Sequence, residues 1–383
     1  MANNNENKVL NVPHLRFPEF SGEWDSFKLV ELGKFIGGGT PSSSNLSFWT
    51  GSIPWISSSD IKEDNINNIS ISRYITEDAI EKSATKYCPA PVILIVSRVG
   101  VGKVALSHTS LCTSQDFCNI IDIKCHPVFL SYNLLRTMKR KSREVQGTSI
   151  KGITSDELQK IRVFIPKNKD EQNKISNLLT LLDERIATQN KIIEDLKKLK
   201  SAIRKKMFSL LKDEYTESFE INQLLDYEQP TAYIVANDEY STDTSLTPVL
   251  TANKGFILGY TDEKFGIYQK GECIIFDDFT MDAKYVSFPF KVKSSAMKIL
   301  TAKPNVNLRF MFEYLSYWEF KSEEHKRHYI SEIASLVIEL PSKERQSIIA
   351  SLMTSLNSKL DIEAKTKIRY EEQKRYLLSQ MFI

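Results

Sequence analysis

Two kinds of side chain in this 383-residue sequence could act together on a ligand, namely clustered basic residues and short polar residues in loops. The basic clusters lie at 139–143, 197–206 and 321–329. The polar loops lie at 40–45, 57–60, 147–151 and 251–254. Lys and Arg neutralise phosphates, whereas short polar side chains can reach base edges, so the combination favours nucleic-acid binding. Charge runs are usually solvent-facing, and Glu194 and Asp195 balance the second cluster, which could instead dock a protein.

Glycine-rich motifs that would indicate nucleotide chemistry are incomplete. Gly100-Val101-Gly102-Lys103 resembles the end of a phosphate-binding loop, but Ser97 and Val104 occupy positions that need Gly and Ser or Thr. A tight turn between two strands is the better prediction. Gly37–Pro41 is a flexible loop, because no strand–glycine–helix unit surrounds it.

Catalytic and metal-ligating sets are also incomplete. Asp122 and Lys124 lack the second acid that metal-dependent cleavage needs, and the five histidines give no triad pattern. The five cysteines include no CxxC pair, so we predict free, mostly buried thiols in a reducing compartment rather than a zinc site. No aromatic (Asp/Asn)-Pro-Pro-aromatic pocket of an amino-methyltransferase is present. We therefore predict a binding protein with no catalytic residue and no metal site.

Composition limits the class of protein further. The length suits two to four domains, and the net charge of +3, from 51 basic and 48 acidic residues, requires any nucleic-acid surface to be locally basic. No apolar run of eighteen residues predicts a membrane span. The polar segment Met1–Lys8 lacks the apolar core of a signal peptide, which predicts a cytoplasmic protein with a frayed tail.

The elements that must position these loops are duplicated. The segments 161–208 and 336–382 each begin with a β-type run ending in proline, continue as a long heptad-patterned helix and end in Met-Phe. The predicted helix-packing residues share a seven-residue spacing, and they are Ile175, Leu182, Leu196, Ile203, Ile349, Leu356, Tyr370 and Leu377.

A companion line three residues further on is predicted at Leu178, Ile192, Leu199 and Leu352. Gln189 and Glu363 interrupt the main line, where a polar residue can fix register. Each helix should be roughly 55 Å long at 1.5 Å per residue and should pack against the other copy. The alternative is that the helices pack only on globular domains.

The globular halves resemble each other more faintly. Phe27-Lys28-Leu29 matches Phe219-Glu220-Ile221, Ile53–Ile56 matches Thr247–Leu250, and Val92–Val96 matches Cys273–Phe276. Helices are predicted at 128–138 and 308–318. The predicted fold class is α+β, with two pseudo-repeated β-rich globular domains, each followed by a long helix, and the two helices packed as an antiparallel coiled coil.

The predicted boundaries follow from this pattern. They give a disordered tail at 1–12, a first globular domain at 13–166, a central long helix at 167–212, a second globular domain at 213–341 and a C-terminal long helix at 342–383.

With these motifs in place, the chain resembles the specificity subunits of type I restriction–modification systems over nearly its whole length. The resemblance is carried by the entry segment Leu15–Phe20 and by Gly39-Thr40-Pro41 followed by Trp49–Ile56. It is also carried by the turn Ser97–Gly102 and by Gly147–Ile153 with Ile165-Pro166 and Glu171-Gln172. The second half departs from the pattern, since it lacks the Gly-Thr-x-Ile-Lys-Gly segment and has Asp277-Asp278 where the first half has Arg98. The two halves should therefore recognise different DNA sequences.

The resemblance implies that each globular half is a target-recognition domain that enters the major groove at one half of a bipartite double-stranded DNA target. It implies that the helices set the spacing and dock two modification subunits, which would bring S-adenosylmethionine, while restriction subunits would bring ATP and Mg; no cofactor is expected in this chain. The candidate DNA contacts are Thr40, Ser42, Ser57, Ser58, Asp60, Arg98, Lys103, Thr148, Lys151, Thr251, Asn253, Lys254, Asp278, Lys284, Arg327, His328 and Tyr329.

Two rival functions remain open. A coiled-coil adaptor or scaffold without a DNA role would share the helices, and DNA binding beside a methyltransferase partner would separate the two. A fused restriction enzyme is opposed by the missing nucleotide and methyl-donor motifs.

Overall fold

The computed structural model describes residues 10–145, 152–211, 217–251, 255–318 and 329–383. The chain divides into two compact units. Unit 1 comprises residues 1–190 with 366–383, and unit 2 comprises residues 191–365. Each unit therefore contains one globular domain and a part of each long helix. Within the described ranges, no helix is long and apolar enough to cross a membrane.

The described residues of unit 1 form ten strands and four α-helices besides the long helices. Its strands are β1 (Asp25–Lys28), β2 (Lys34–Gly37), β3 (Ile53–Ile56), β4 (Arg73–Ile75), β5 (Tyr87–Cys88), β6 (Val92–Val96), β7 (Val104–Ser107), β8 (Leu111–Thr113), β9 (Phe117–Ile121) and β10 (Arg162–Ile165). Its helices are α1 (Leu29–Leu32), α2 (Glu77–Glu81), α3 (Pro127–Val145) and α4 (Ser155–Lys160). The strands form two four-stranded sheets, ordered β2-β9-β6-β7 and β4-β3-β8-β5, and a β1-β10 ribbon.

The central strand β6 consists of an uninterrupted apolar run, Val92–Val96. All five of its residues are buried, because the sheet is covered on both faces. Ile93 and Ile95 face the cluster that includes α3, while Val92, Leu94 and Val96 face the second cluster. The same burial raises the pKa of the Cys88 thiol to about 11, which keeps this cysteine protonated and unreactive.

The long helix α5 (Lys169–Leu210) follows these elements. The described residues of unit 2 form nine strands and two α-helices besides the long helices. The strands are β11 (Glu217–Glu220), β12 (Leu225–Glu228), β13 (Thr247–Leu250), β14 (Ile257–Thr261), β15 (Cys273–Asp277), β16 (Ala283–Val286), β17 (Lys291–Val292), β18 (Met297–Ala302) and β19 (Val337–Leu340). The helices are α6 (Ile221–Leu224) and α7 (Leu308–Tyr317), and the second long helix is α8 (Lys343–Gln380). The sheets are ordered β12-β18-β15-β16 and β14-β13-β17, beside a β11-β19 ribbon.

The two globular domains share one topology, except that β5 of unit 1 has no counterpart among the described strands of unit 2. Each has a ribbon that pairs the first strand with the last, since Phe27 is opposite Val163 and Phe219 is opposite Ile338. Each has one parallel pair, β3 with β8 and β13 with β17. The three sequence echoes between the halves fall on equivalent strands, so the predicted α+β repeat is confirmed.

The long helices pack antiparallel inside each unit. In unit 1, Asp183 of α5 contacts Lys374 of α8, and Arg185 lies over the ring of the earlier residue Tyr370. In unit 2, Phe208 near the end of α5 packs in one cluster with Ile349 and Met353 near the start of α8. Moving forward along one helix therefore means moving backward along the other.

The main predicted packing line faces inward. Ile175, Leu182, Ile349 and Leu377 are buried, while Leu196, Ile203, Leu356 and Tyr370 are half-buried. The predicted companion line was wrong, because Ile192, Leu199 and Leu352 are exposed and Leu178 is only half-buried. The second line instead lies four residues on, at Leu179 and Ile186 in α5, at Met353 in α8 and at Met381 directly after α8.

The Met-Phe pair that ends each helix completes the other copy's core. Phe382 packs in unit 1 against Trp24 and Phe129, at centroid distances of 6.4 and 5.1 Å. Phe208 packs in unit 2 against Phe310 and Tyr314, at 5.6 and 4.9 Å. The core of the first domain thus includes Phe382, which follows α8, and the core of the second domain includes Phe208 of α5.

A glutamine fixes the start of each long helix in the same way. Gln172 Nε2 donates to Pro166 O (2.9 Å), and its Oε1 accepts from the His126 amide (3.0 Å). Gln346 Nε2 donates to Pro341 O (2.9 Å), and its Oε1 accepts from the Asn307 amide (2.9 Å). Each buried side chain joins the preceding strand, the domain helix and the long helix, which explains why this residue recurs in both copies.

Candidate nucleic-acid interface

Four loops of unit 1 meet at one edge of its two sheets. The Ser114 amide donates to Ile56 O (2.9 Å), which joins the chain after β8 to the end of β3. The Ser97 amide donates to Asp116 O (2.8 Å), and the Gly39 amide to Thr113 O (2.8 Å). The loops 38–45, 57–60, 97–103 and 114–116 therefore form one surface, the loop edge of unit 1. These backbone hydrogen bonds hold the four loops next to one another.

The 57–60 loop is fixed by a charge-assisted network. Asp60 Oδ2 accepts from the Ser57 amide (2.7 Å) and pairs with Arg73, whose guanidinium lies 4.6 Å from the centroid of the Trp55 ring. Lys103 Nζ donates to Ser58 O (3.1 Å). Three of the predicted contacts, Ser57, Ser58 and Lys103, are thus brought together, while Asp60 holds the loop. Arg73 was missed, because nothing in its sequence neighbourhood indicates its partner.

Thr40 and Ser42 are exposed on the adjoining loop. Thr40 Oγ1 donates to Gln115 Oε1, and Ser42 Oγ lies 2.8 Å from Ser44 Oγ. Trp55 Nε1 donates to Gly39 O (3.0 Å) and anchors the base of the loop. These short side chains have hydroxyl groups that can exchange their local hydrogen bonds for bonds to a base edge.

The 97–103 turn carries the exposed cation Arg98. Gly100 and Gly102 have φ of 87° and 110°, which explains why glycine occupies both positions. The Ile153 amide donates to Ser97 O (2.8 Å), which ties the turn to the segment after α3. The predicted contacts Thr148 and Lys151 lie outside the described residues.

Unit 2 repeats the same backbone scaffold at the ends of β13, β15 and β17. The Lys293 amide donates to Leu250 O (2.9 Å), and the Asp278 amide donates to Ala296 O (3.1 Å). These bonds match those of Ser114 and Ser97. Among the predicted contacts, Thr251 follows β13 and is buried, while Lys284 is exposed on β16. Asn253, Lys254, Arg327 and His328 lie outside the described residues.

Two predicted contacts of unit 2 are interior residues. Asp278 and Tyr329 are each 1% exposed. Asp278 Oδ1 accepts from the Tyr329 amide (2.9 Å), and its Oδ2 lies 3.5 Å from the ammonium of the equally buried Lys298. Burial raises the pKa of the Tyr329 hydroxyl, so this side chain remains neutral. Neither side chain can reach a base in this conformation, because each is enclosed by its own domain.

The interface has the chemistry of a binding surface. In the ranges that the structure describes, no three His, Cys, Asp or Glu residues are arranged to hold a metal ion. Burial raises the pKa values of Cys112 and Cys273 to about 12, so these thiols are not nucleophiles at neutral pH. The loop edge of unit 1 and the equivalent loops of unit 2, at the ends of β13, β15 and β17, present hydroxyl groups, amides and a few cations.

Comparisons with known proteins match this architecture. A family model described as the type I restriction modification DNA specificity domain matches residues 21–198 and 214–372. The EcoR124I/EcoR124II specificity subunit of Escherichia coli is 40% identical over 178 residues, covering 42% of this chain and 43% of that protein. The MjaIX specificity subunit of Methanocaldococcus jannaschii is 32% identical over 222 residues, covering 56% and 50%. The chain thus spans about half the length of the curated relatives it matches.

Two solved structures share the fold. The S subunit of a type I restriction–modification system from M. genitalium superposes with a TM-score of 0.65 at 17% identity, covering 97% of this chain and 99% of that one. A chain from a study of complex assembly and conformational transition of the type I R-M system gives 0.59 at 12% identity, covering 94% and 97%. At these identities the likeness concerns architecture alone.

Proposed function

This chain belongs to the type I restriction–modification DNA specificity family, and from this premise we propose that each of its two units recognises one half of a bipartite double-stranded DNA target. The observation that carries the proposal is the pair of loop edges. Their backbone hydrogen bonds are equivalent, whereas the side chains that they present differ. An identical scaffold with different side chains is what two recognisers of different sequences require, since bases are distinguished by side-chain contacts in the groove.

The exposed side chains of unit 1 have two proposed roles in DNA binding. Thr40, Ser42, Ser57 and Ser58 supply hydroxyl contacts, while Arg98 and Lys103 supply charge. Thr148 and Lys151 remain proposed contacts of the same unit. In unit 2 we retain Thr251, Asn253, Lys254, Lys284, Arg327 and His328 as proposed contacts, and leave out the two interior residues.

The chemistry is proposed to belong to partner subunits. Two modification subunits dock on the helices and the recognition domains, bind S-adenosylmethionine and methylate an adenine flipped out of the duplex. Restriction subunits add ATP- and Mg-dependent cleavage. Because the ligand is host DNA, the complex acts in the cytoplasm. The five segments 1–12, 13–166, 167–212, 213–341 and 342–383 are the proposed functional divisions of this chain.

The long helices are proposed to set the number of unread base pairs between the half-sites. They connect the two recognition domains, and a rigid connection couples two weak recognition events into one selective event. The antiparallel packing of the helices within each unit supports this role.

The recognition proposal is tested by Ser58→Ala combined with Thr148→Ala, in the full chain with its modification subunits. Both residues are assigned to unit 1, so we expect altered base preference at one half-site only. Methylation mapping of a library of duplexes measures both half-sites at once. Thr261→Ala, on β14 of unit 2 and away from the loops, serves as the control. Loss of preference at both half-sites, or at neither, contradicts the assignment.

The spacing proposal is tested by inserting one heptad between Lys191 and Lys198, with a matching heptad in α8 between Lys359 and Thr366. Seven residues add about 10 Å at 1.5 Å per residue, which corresponds to roughly three base pairs at 3.4 Å each. We expect a longer spacer with both half-sites unchanged. A three-residue insertion, which breaks the heptad phase, is the control and should abolish binding. An unchanged spacer rejects the proposal.

A further inference from the structure

A cavity of about 540 Å³ in unit 1 has a wall of cations that the proposed base contacts do not use. It lies between the 62–68 segment, α3, and the parts of α5 and α8 that belong to this unit. Its apolar lining comes from Leu135, Ile186 and Leu378. Its cations include Lys62, Arg136, Arg140, Arg143 and Arg375.

The acidic residues of the cavity are largely occupied. Asp64 pairs with Lys139 (2.6 Å), and Glu371 pairs with Lys367 (3.4 Å). Asp183 accepts from the Tyr132 hydroxyl (2.7 Å) and pairs with the buried Lys374. These three acids therefore pair with cations other than the arginines, and Glu63 is the remaining acid of the described cavity lining.

The arginines of the cavity differ in their partners. Arg136 Nη1 donates to Ile383 O (2.7 Å). Arg140, Arg143 and Arg375 make no ion pair in the part of the chain that the structure describes. Burial, and to a smaller extent the nearby charge of Arg140, lowers the pKa of Arg136. An anion in the cavity would offset the repulsion between these neighbouring cations.

The cluster also adjoins the loop edge of unit 1. The 62–68 segment continues directly from the 57–60 loop, and Ser142 of α3 lies against Gly102 of the 97–103 turn. Arg136, Arg140 and Arg143 are spaced along one face of α3 and span about 10 Å at 1.5 Å per residue. Measured along the axis of a DNA duplex, that length corresponds to about three nucleotides of one strand at 3.4 Å each, which favours an extended polyanion over a single phosphate.

We propose that the cavity wall formed by Arg140, Arg143 and Arg375 binds backbone phosphates of the DNA that flanks the half-site recognised by unit 1. This inference rests on the proposed function and adds a sequence-independent phosphate-binding site beside the loops that discriminate bases. This site raises the affinity for every duplex equally, whereas base preference depends on the loop edge of unit 1.

The experiment uses the full chain in complex with its modification subunits and the triple variant Arg140→Gln/Arg143→Gln/Arg375→Gln. Affinity for a fluorescent duplex that carries the target, and for a scrambled duplex, is measured from low to high salt. Each lost phosphate contact lowers the slope of log K against log salt by about 0.9, so we expect a fall of about 2 to 3 for both duplexes. Arg162→Gln is the matched control, because this exposed arginine lies on β10 outside the cavity. The methylated sequence should not change.

Several outcomes overturn the inference. One is an unchanged salt slope, and another is a loss confined to the target duplex. A third is loss of the modification subunits from the variant on gel filtration, which would make the cavity a protein-docking site. A fourth is binding of inorganic triphosphate to the complex without DNA that the triple variant abolishes while the DNA slope stays unchanged, which would make it a small-ligand site. If the unsubstituted complex shows no bipartite preference, the proposed function itself fails, and the two failures are distinguishable.

Discussion

Both units bury one acidic side chain where the domain helix packs against the long helices. The acid lies on the long helix in unit 1 and on the domain helix in unit 2. In unit 1 the acid is Asp183 of the long helix α5, which contacts Tyr132 of α3 and Lys374 of α8. In unit 2 the acid is Glu313 of the domain helix α7. Its Oε2 accepts from Arg204 Nη2 (2.7 Å), and its Oε1 accepts from Asn357 (3.3 Å). Asn357 stands in the repeat where Asp183 stands, and Glu313 where Tyr132 stands.

This contrast shows that topology and interior charge were constrained separately. The glutamine clamps and the terminal Met-Phe packing are kept in both units, because they depend only on the repeated backbone. The buried acid lies on the long helix in unit 1 and on the domain helix in unit 2. Each domain helix therefore needs different partner side chains on the long helices. A domain grafted onto the wrong helix faces would bury an acid without its cation, or a cation without its acid.

The largest effect should come from breaking one of these buried pairs. Lys374→Met leaves Asp183 buried without a cation, and removing one partner of a buried pair destabilises by about 3–5 kcal/mol. Adding Asp183→Asn, the residue type that unit 2 has there, should restore a large part of the loss. Urea unfolding monitored by hydrogen exchange in unit 1 measures the change in free energy.

Lys367→Met is the control, since the Lys367–Glu371 pair is partly exposed and should contribute less than about 1 kcal/mol. Equal losses for Lys374→Met and Lys367→Met would contradict the idea that burial makes the difference between the two pairs.

An effect of similar size, equal in both units, should come from the clamps. Gln172→Ala and Gln346→Ala each leave a buried amide and a buried carbonyl unpaired, at about 1–3 kcal/mol per unsatisfied group. Gln159→Ala, whose side chain bonds only to Ser155 near the surface, provides the reference. Thermal unfolding of each single variant tests the equality. A much larger loss for one clamp would show that the two junctions are not equivalent.

The smallest effect should come from charges at the loop edges. Arg98 of unit 1 and Asp282 of unit 2 are exposed on equivalent turns. Arg98→Ala should slow DNA association and Asp282→Ala should accelerate it, each by a few-fold at low salt, because rim charges act mainly on the association rate. Stopped-flow association at two salt concentrations checks both signs. Changes of the same sign would mean that these turns do not both face DNA.

Much of the fold was predictable from local pattern. The apolar runs at 92–96 and 273–276 and the heptad line through Ile175 and Leu182 gave correct elements, because burial on both sheet faces and packing on one helix stripe are visible in residue spacing. The second packing line was not predictable in the same way. Leu178 and Leu179 are both leucines, and only the position of the partner decides which of them turns inward.

The candidate contacts failed where tertiary pairing decides exposure. Asp278 lies in a turn that sequence alone would place at the surface, yet Lys298 from β18 and the backbone of Tyr329 enclose it. No local signal joins these three residues. Conversely, Ser58 follows β3 and Lys103 lies between β6 and β7, so their hydrogen bond joins loops of two different sheets that no local pattern connects.

The exchange of Met-Phe ends between the two copies has a consequence for biosynthesis. On a ribosome, the aromatic cluster around Trp24 and Phe129 emerges early but stays open until Phe382 has been made. The first domain therefore waits for the entire second domain before it can finish folding, and contacts so distant in sequence form slowly. Chains that terminate before Phe382 would therefore leave the aromatic cluster around Trp24 and Phe129 incomplete.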